Sequence, residues 1–275
     1  MWCPGTRLLR VRFTTEEAAA ATNGTVRGAE RSFDGADIDS RTVGPGQLFV
    51  PVVADRDGHD FIGSALDNGA AAYLTAQGEN AQPELALAGG ASAIAVANTL
   101  DALKSLGRSA RDRMTGHVIG ITGSVGKTST KDLCAAVLAA DGSQVHASAK
   151  SFNNEMGVPL TLLNTPDAAS AVVVEMGARG VGHIAHLCDI ARPTIGVVTM
   201  VGAVHTSEFG DLETVARAKG ELVEAVPAVG HVVLNADNPC RSCGWSHPWT
   251  HPSGNRRGSG RCGIVTVANG SPAHA

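Results

Sequence analysis

The chain has 275 residues, a formal net charge of −4, 43% hydrophobic residues and only 4% aromatic ones. Length suggests about two domains, with Ala, Val, Leu and Ile carrying the core. The charge argues against a nucleic-acid binder, no apolar run reaches membrane-spanning length, and Met1 to Phe13 lacks the apolar centre of a secretion signal, so a cytoplasmic protein is expected. Six cysteines in a chain this long do not read as a disulfide framework.

Residues 14–112 read as a first domain. Thr14-Thr15-Glu16-Glu17 before an alanine run predicts a helix start with acidic residues in its first turn. Gly44-Pro45-Gly46 is a turn, and Leu48 to Val53 reads as a strand. Asp57-Gly58-His59-Asp60 is a further turn, leading to Phe61-Ile62 and a helical Ala65-Leu66. Gly69 to Leu74 suggests a helix end and a short strand, Gln77 to Ala91 a loop, Ala93 to Val96 a strand and Thr99 to Arg113 a helix.

Residues 113–239 read as a second domain, organised around Gly120 to Ser129. An apolar run, Val118 to Ile121, feeds a glycine-rich turn that ends in Gly126-Lys127-Thr128-Ser129, and a helical pattern follows. Strand, glycine loop and helix in that order suit a nucleotide triphosphate. Glycines let backbone N–H groups close around phosphate oxygens, and the helix N-terminus adds its positive dipole end. Lys127 can reach the β- and γ-phosphates, and the Thr128 hydroxyl can ligate Mg²⁺. The common phosphate-loop spacing puts a glycine five residues before Gly126. Ile121 stands there and the loop begins at Gly123, so it is short. The alternative is an ordinary glycine-rich turn.

The other strands expected in this domain are Val145–Ala147, Ala171–Glu175, Ile195–Thr199 and His231–Leu234. Helical segments separate several of them, which predicts an α/β fold with a doubly wound, mostly parallel sheet. Ligands bind such sheets at the carboxyl ends of the strands. The helix from Asp211 to Val226 carries apolar residues at 212, 215, 216, 222, 223 and 226, and the same stripe runs through Lys219. Either the Lys219 stem snorkels or its head points into a site. His183 and His186 read as surface or helix-packing residues, and Cys134 and Cys188 as buried thiols.

Residues 240–275 contain no Asp, Glu, Lys or Leu and hold three of the six cysteines, so they read as an anomalous, disordered and non-native tail. Cys240, Cys243, His247 and His251 are zinc-ligand types, but the spacer between the pairs is far shorter than in zinc fingers.

Five motifs, in order, resemble the Mur ligase family. The first is Asp39-Ser40-Arg41 with Pro45-Gly46 and Leu48-Phe49-Val50, and the second is Asp57 to Phe61. Then come Gly120 to Leu133, Ser151 to Leu160 and Val174 to Arg179. The resemblance covers about residues 14–239 and implies a small N-terminal UDP-substrate-binding domain before an ATP-binding domain. It implies a ligase of peptidoglycan precursor synthesis, in which ATP phosphorylates the terminal carboxylate of UDP-N-acetylmuramoyl-tripeptide and D-alanyl-D-alanine attacks the acyl phosphate.

The resemblance also implies roles. Gly123, Ser124, Val125, Gly126, Lys127, Thr128 and Ser129 would hold ATP, with Asn235 near the base. Thr128, Glu175, His205 and a carbamylated Lys219 would hold Mg²⁺, and Lys127, Glu175, His205 and Lys219 would be the catalytic set. Ser40 and Arg41 would hold the uridine diphosphate end, and Asn153 and Asn154 the phosphates or substrate. The family carries more chain beyond Asn235 to Asn238. The expectation is therefore a monomer with an incomplete ATP-binding domain that does not itself catalyse ligation. The alternatives are a non-catalytic ATP- or UDP-sugar-binding remnant and the ligase adding the third peptide residue.

Overall fold

The computed structural model describes residues 10–77, 90–202, 211–235, 238 and 264–268. These form two compact units: residues 1–114 with 159–169, and residues 115–158 with 170–275.

The first unit opens with a short antiparallel pair, β1 (Arg12–Thr14) and β3 (Ser32–Asp34), whose Phe13 and Phe33 rings stack at 5.8 Å. Helix α1 (Thr15–Thr22) starts on a capping box. The Thr14 hydroxyl accepts from Glu17 N–H, and the Glu17 carboxylate accepts from Thr14 N–H. A five-stranded sheet follows, in the order β2 (Thr25–Arg27), β7 (Ser92–Ala95), β6 (Ala72–Thr75), β5 (Leu48–Phe49), β4 (Ala36–Asp37). All pairs are parallel except β2 with β7. Helices α2 (Ile62–Asp67) and α3 (Thr99–Asp112) belong to this unit, and Asn98 caps α3 by accepting from Leu100 and Asp101 N–H. The strand expected over Leu48 to Val53 is only two residues long. Its continuation bends into the Asp57 turn, where Gly58 N–H donates to Val52 O.

Residues 159–169 join this unit although they follow the phosphate loop in sequence. Asn164 is the buckle. Its Oδ1 accepts from Arg10 at 2.9 Å and Gln47 at 3.4 Å, while Nδ2 donates to Ala36 O at 2.8 Å. A boundary placed near residue 112 misses this return of the chain.

The second unit is a six-stranded sheet in the order β13-β12-β11-β8-β10-β9. Its strands are β8 (His117–Thr122), β9 (Val145–Ala147), β10 (Ala171–Glu175), β11 (Ile195–Val198), β12 (His231–Asn235) and β13 (Ile264–Ala268). Only β13 runs antiparallel. The expected doubly wound sheet is present. Helix α4 (Lys127–Ala140) lies on the face of Ile119, Ile121 and Val173. Helix α5 (Gly157–Leu163) begins in this unit, and α6 (His183–Ala191) and α7 (Leu212–Ala225) cover the opposite face. There Gly120 lets Leu222 approach so closely that an added Cβ would lie 2.9 Å from its Cδ1.

β13 corrects the reading of residues 240–275 as wholly disordered, because Ile264 to Ala268 pair along β12. A short, mostly apolar, β-branched run beside the β12 edge supplies the partner that edge needs. The rest of that stretch, including Cys240, Cys243, His247 and His251, lies outside the described residues. Among the described residues, Cys188 is buried and Cys134 is half-buried on α4, so the expected pair of buried thiols is one. No described helix is long and apolar enough to cross a membrane.

Candidate active site

The site grows from the end of β8. Thr122 finishes the strand, the chain turns through Gly123 to Gly126, and Lys127 opens α4. Gly123 has φ +153°, and a Cβ there would meet Thr199 Oγ1 at 1.9 Å. The loop is tied to the chain after β11: Ser124 N–H donates to Met200 O at 2.7 Å, and the Thr199 hydroxyl donates to Val125 O at 2.6 Å. The Lys127 ammonium lies over the loop, donating to Gly123 O at 2.9 Å.

Parallel pairing puts the end of β10 beside the end of β8, with Glu175 opposite Ile121. Glu175, 1% exposed, therefore stands at the base of the phosphate loop. Its Oε2 accepts from the Thr128 hydroxyl at 2.9 Å and its Oε1 from Asn153 Nδ2 at 2.8 Å, while its N–H donates to Ser148 Oγ at 3.2 Å. Asn153 is held in turn by Gly177 N–H, which donates to its carbonyl at 2.7 Å. A hydroxyl and a carboxylate side by side at a phosphate loop are the hard oxygen donors that suit Mg²⁺, which takes one or two carboxylates and shares phosphates.

Lys219 lies on the buried stripe of α7, 5% exposed, and lines the same cleft as Lys127. Snorkelling would place the head in water, and so little exposure does not fit that reading. Burial pushes the Lys219 amine down to about 8; the Lys127 charge adds to this, and Glu221 opposes it.

The cleft has a volume of about 810 Å³. Gly123, Ser124 and Lys127 line one side, and Asn153, Asn154 and Lys219 also face it. Arg179, His183 and His186 line it as well; His183 is exposed and His186 half-buried, which agrees with their reading as surface or packing residues and adds that they face the cleft. They follow a second strand–glycine–helix turn, Gly177 to Gly182, and that pattern was a usable signal in the sequence. Glu221 went unnoticed for lack of any local signal. Its carboxylate accepts from Gly182 N–H and, at 2.9 Å, from Ala185 N–H, which ties α7 to the start of α6.

Val125 lies within the glycine loop and Ser129 in the first turn of α4 beside Thr128; all three are exposed, and Val125 and Ser129 are not among the residues lining the cleft. Asn235 ends β12 and is not one of the residues lining the cleft. In the first unit Ser40 is buried, and its carbonyl accepts from Asn68 at 2.8 Å; the Arg41 guanidinium is exposed and paired with Asp39 at 2.6 Å. His205 lies outside the described residues.

Family models match two stretches of the chain: the Mur ligase middle domain over residues 121–246, and the Mur ligase family, catalytic domain, over residues 32–111. The UDP-N-acetylmuramoyl-tripeptide–D-alanyl-D-alanine ligase of Mycobacterium tuberculosis is 43% identical over 219 residues, which is 74% of this chain and 42% of the relative. The ligase of the same name from Escherichia coli is 34% identical over 230 residues, 83% of this chain and 49% of the relative. Among solved structures, MurF from Acinetobacter baumannii aligns with TM-score 0.74 at 25% identity, covering 85% of this chain and 51% of that one. MurF from Thermotoga maritima, in complex with ADP, aligns with TM-score 0.62 at 33% identity, covering 75% and 46%. The chain belongs to the Mur ligase family. It spans about half the length of the relatives it matches.

Proposed function

We propose that the two units are the UDP-substrate-binding and ATP-binding parts of an ATP-dependent ligase. That ligase joins D-alanyl-D-alanine to UDP-N-acetylmuramoyl-tripeptide in peptidoglycan precursor synthesis. The observation that carries the reading is the Thr128–Glu175 pair at the base of the phosphate loop, next to Lys127, which lines one cleft with the buried Lys219. The names of the relatives supply the substrates.

The chemistry has two steps. A carboxylate oxygen of the tripeptide attacks the γ-phosphorus, ADP leaves, and an acyl phosphate forms. The amine of the dipeptide then attacks the acyl carbon, phosphate leaves with the bonding electrons, and the amine loses its proton. Such transfer depends on positioning and on neutralised charge. The loop N–H groups and Lys127 hold the phosphates. Thr128 and Glu175 would hold Mg²⁺, which would supply positive charge against that of the phosphates. Asn153 fixes the rotamer of Glu175 through its hydrogen bond. The amine of Lys219 has the burial and lowered basicity that favour a neutral nucleophile, so its nitrogen would attack the carbon of CO₂, one C=O bond opening to an oxyanion and one N–H proton passing to solvent, to give a carbamate with two further oxygen donors. His205 would complete that set, and Asn235 would approach the base. Ser40 and Arg41 would meet the uridine diphosphate end, and ATP and a UDP-linked substrate imply a cytoplasmic setting.

Calorimetric titration tests the reading. ADP is expected to bind with an Mg²⁺-dependent gain that Lys127→Ala abolishes, and UDP-N-acetylmuramoyl-tripeptide is expected to bind more tightly than the dipeptide precursor. Preference for the dipeptide would assign the ligase that adds the third residue. Nucleotide binding indifferent to Lys127 would overturn the ATP site.

A further inference from the structure

Lys131 lies one turn beyond Lys127 on α4 and is 3% exposed. A buried ammonium is costly unless its charge is compensated and every donor is used. Here two donors have carbonyl acceptors, Ser148 O at 2.8 Å and Lys150 O at 3.0 Å, and the Asp132 carboxylate pairs with the charge, its Oδ1 at 3.1 Å. The ammonium is therefore committed to the turn rather than to the phosphate loop, and a methionine would fill the space without the cost of burying charge. What the cation adds is a grip on the turn after β9, where Lys150 is left-handed at φ +49°.

That turn matters because of what is fastened to it. The hydroxyl of Ser148 receives Glu175 N–H, and Ser148 N–H donates to Val173 O at 3.0 Å. Three residues past Lys150, Asn153 donates to Glu175 Oε1. Both faces of Glu175, main chain and side chain, are thus held by the segment that Lys131 anchors. We infer that Lys131 is a positioning residue: by clamping the Ser148–Lys150 turn it holds the Glu175 carboxylate where it meets the Thr128 hydroxyl. The inference rests on the proposed role of Thr128 and Glu175 toward Mg²⁺.

The test is ADP binding by calorimetry, with and without Mg²⁺, alongside thermal unfolding, for the wild-type chain, Lys131→Met and Ser148→Ala. ADP alone should bind both variants within about twofold of wild type, because the loop and Lys127 are untouched. The gain in affinity on adding Mg²⁺ should fall by about tenfold in each, the scale seen when outer-shell support of a metal ligand is removed. Lys131→Arg, which keeps the cation and its donors, should restore part of that gain. In a Glu175→Ala background, Lys131→Met should cost no further Mg²⁺ gain, since both act through one carboxylate. A Lys131→Met chain that melts lower but keeps its full Mg²⁺ gain would overturn the inference and leave Lys131 a packing residue. Should Lys131→Met fail to fold, Ser148→Ala decides alone, and an unchanged Mg²⁺ gain there is equally fatal. If the wild-type chain shows no Mg²⁺ gain, it is the proposed function that fails.

Discussion

The Thr128 hydroxyl donates to Glu175 Oε2 at 2.9 Å across 47 residues of sequence. This bond ties the first turn of α4 to the end of β10 and puts two oxygen donors at the base of the phosphate loop. Thr128→Val keeps the shape and removes the oxygen. It is expected to leave ADP binding in chelator nearly unchanged and to reduce the Mg²⁺-dependent gain by about tenfold or more. Fluorescence titration with a labelled ADP in both buffers checks it, and an equal loss in both would contradict the assignment.

Gly123 cannot accept a side chain without displacing Thr199. Gly123→Ala combines a backbone that L residues avoid with a contact of 1.9 Å. It should destabilise the chain by roughly 1–3 kcal/mol and abolish nucleotide binding. Adding Thr199→Ala removes the nearest atom, Oγ1, and should recover part of the lost stability but not the loop geometry. Chemical denaturation of the single and double variants separates the two contributions.

Lys219 should make stability depend on pH. Its amine falls from the ordinary 10.5 to about 8 in the folded chain, with burial as the first cause. Below pH 8 the ammonium is charged in both states, and the folded state bears the full cost of burying it. Between pH 8 and 10.5 only the unfolded chain still holds the proton, so the penalty shrinks as pH rises, and above 10.5 it is gone. Lys219→Met should therefore stabilise the chain at pH 7 by on the order of 2 kcal/mol, with the difference fading toward pH 10.5. Unfolding curves in bicarbonate-free buffer at pH 7, 9 and 10.5 test this. A constant difference across that range would show that packing, not charge, sets the effect.

Thr122 is fully buried, and its Oγ1 is the buried side-chain oxygen without a hydrogen bond among the described residues. Replacing such a hydroxyl with a methyl removes a desolvated dipole at constant volume. Thr122→Val should raise stability by about 1 kcal/mol. A lower melting temperature would refute this.

The elements around the cleft were legible where the signal is local. Val145–Ala147 and Ala171–Glu175 have the bounds their apolar runs suggest, and the strand–glycine–Lys127 order locates α4 by itself. The short strands β2 and β4 lie among polar and glycine residues and offer no apolar run to read. Lys219 stood out because a charge interrupts an apolar stripe. Lys131 and Glu221 did not, because their partners, Ser148 and Gly182, lie 17 and 39 residues away and only the folded sheet brings them together. The carboxyl-end rule points to Glu175, whose strand end pairs beside the loop, whereas Asn235 comes from the family resemblance and is not among the residues lining the cleft.

The return of residues 159–169 to the first unit bears on how the gene can be dissected. A fragment stopped at residue 114 would lack Asn164, leaving Arg10, Gln47 and the Ala36 carbonyl without the side chain that joins them. Circular rearrangement, with 159–169 spliced by a linker onto residue 114, is the cut that respects the fold. The chain passes through the first unit twice, so a single linear cut between the units removes part of the first.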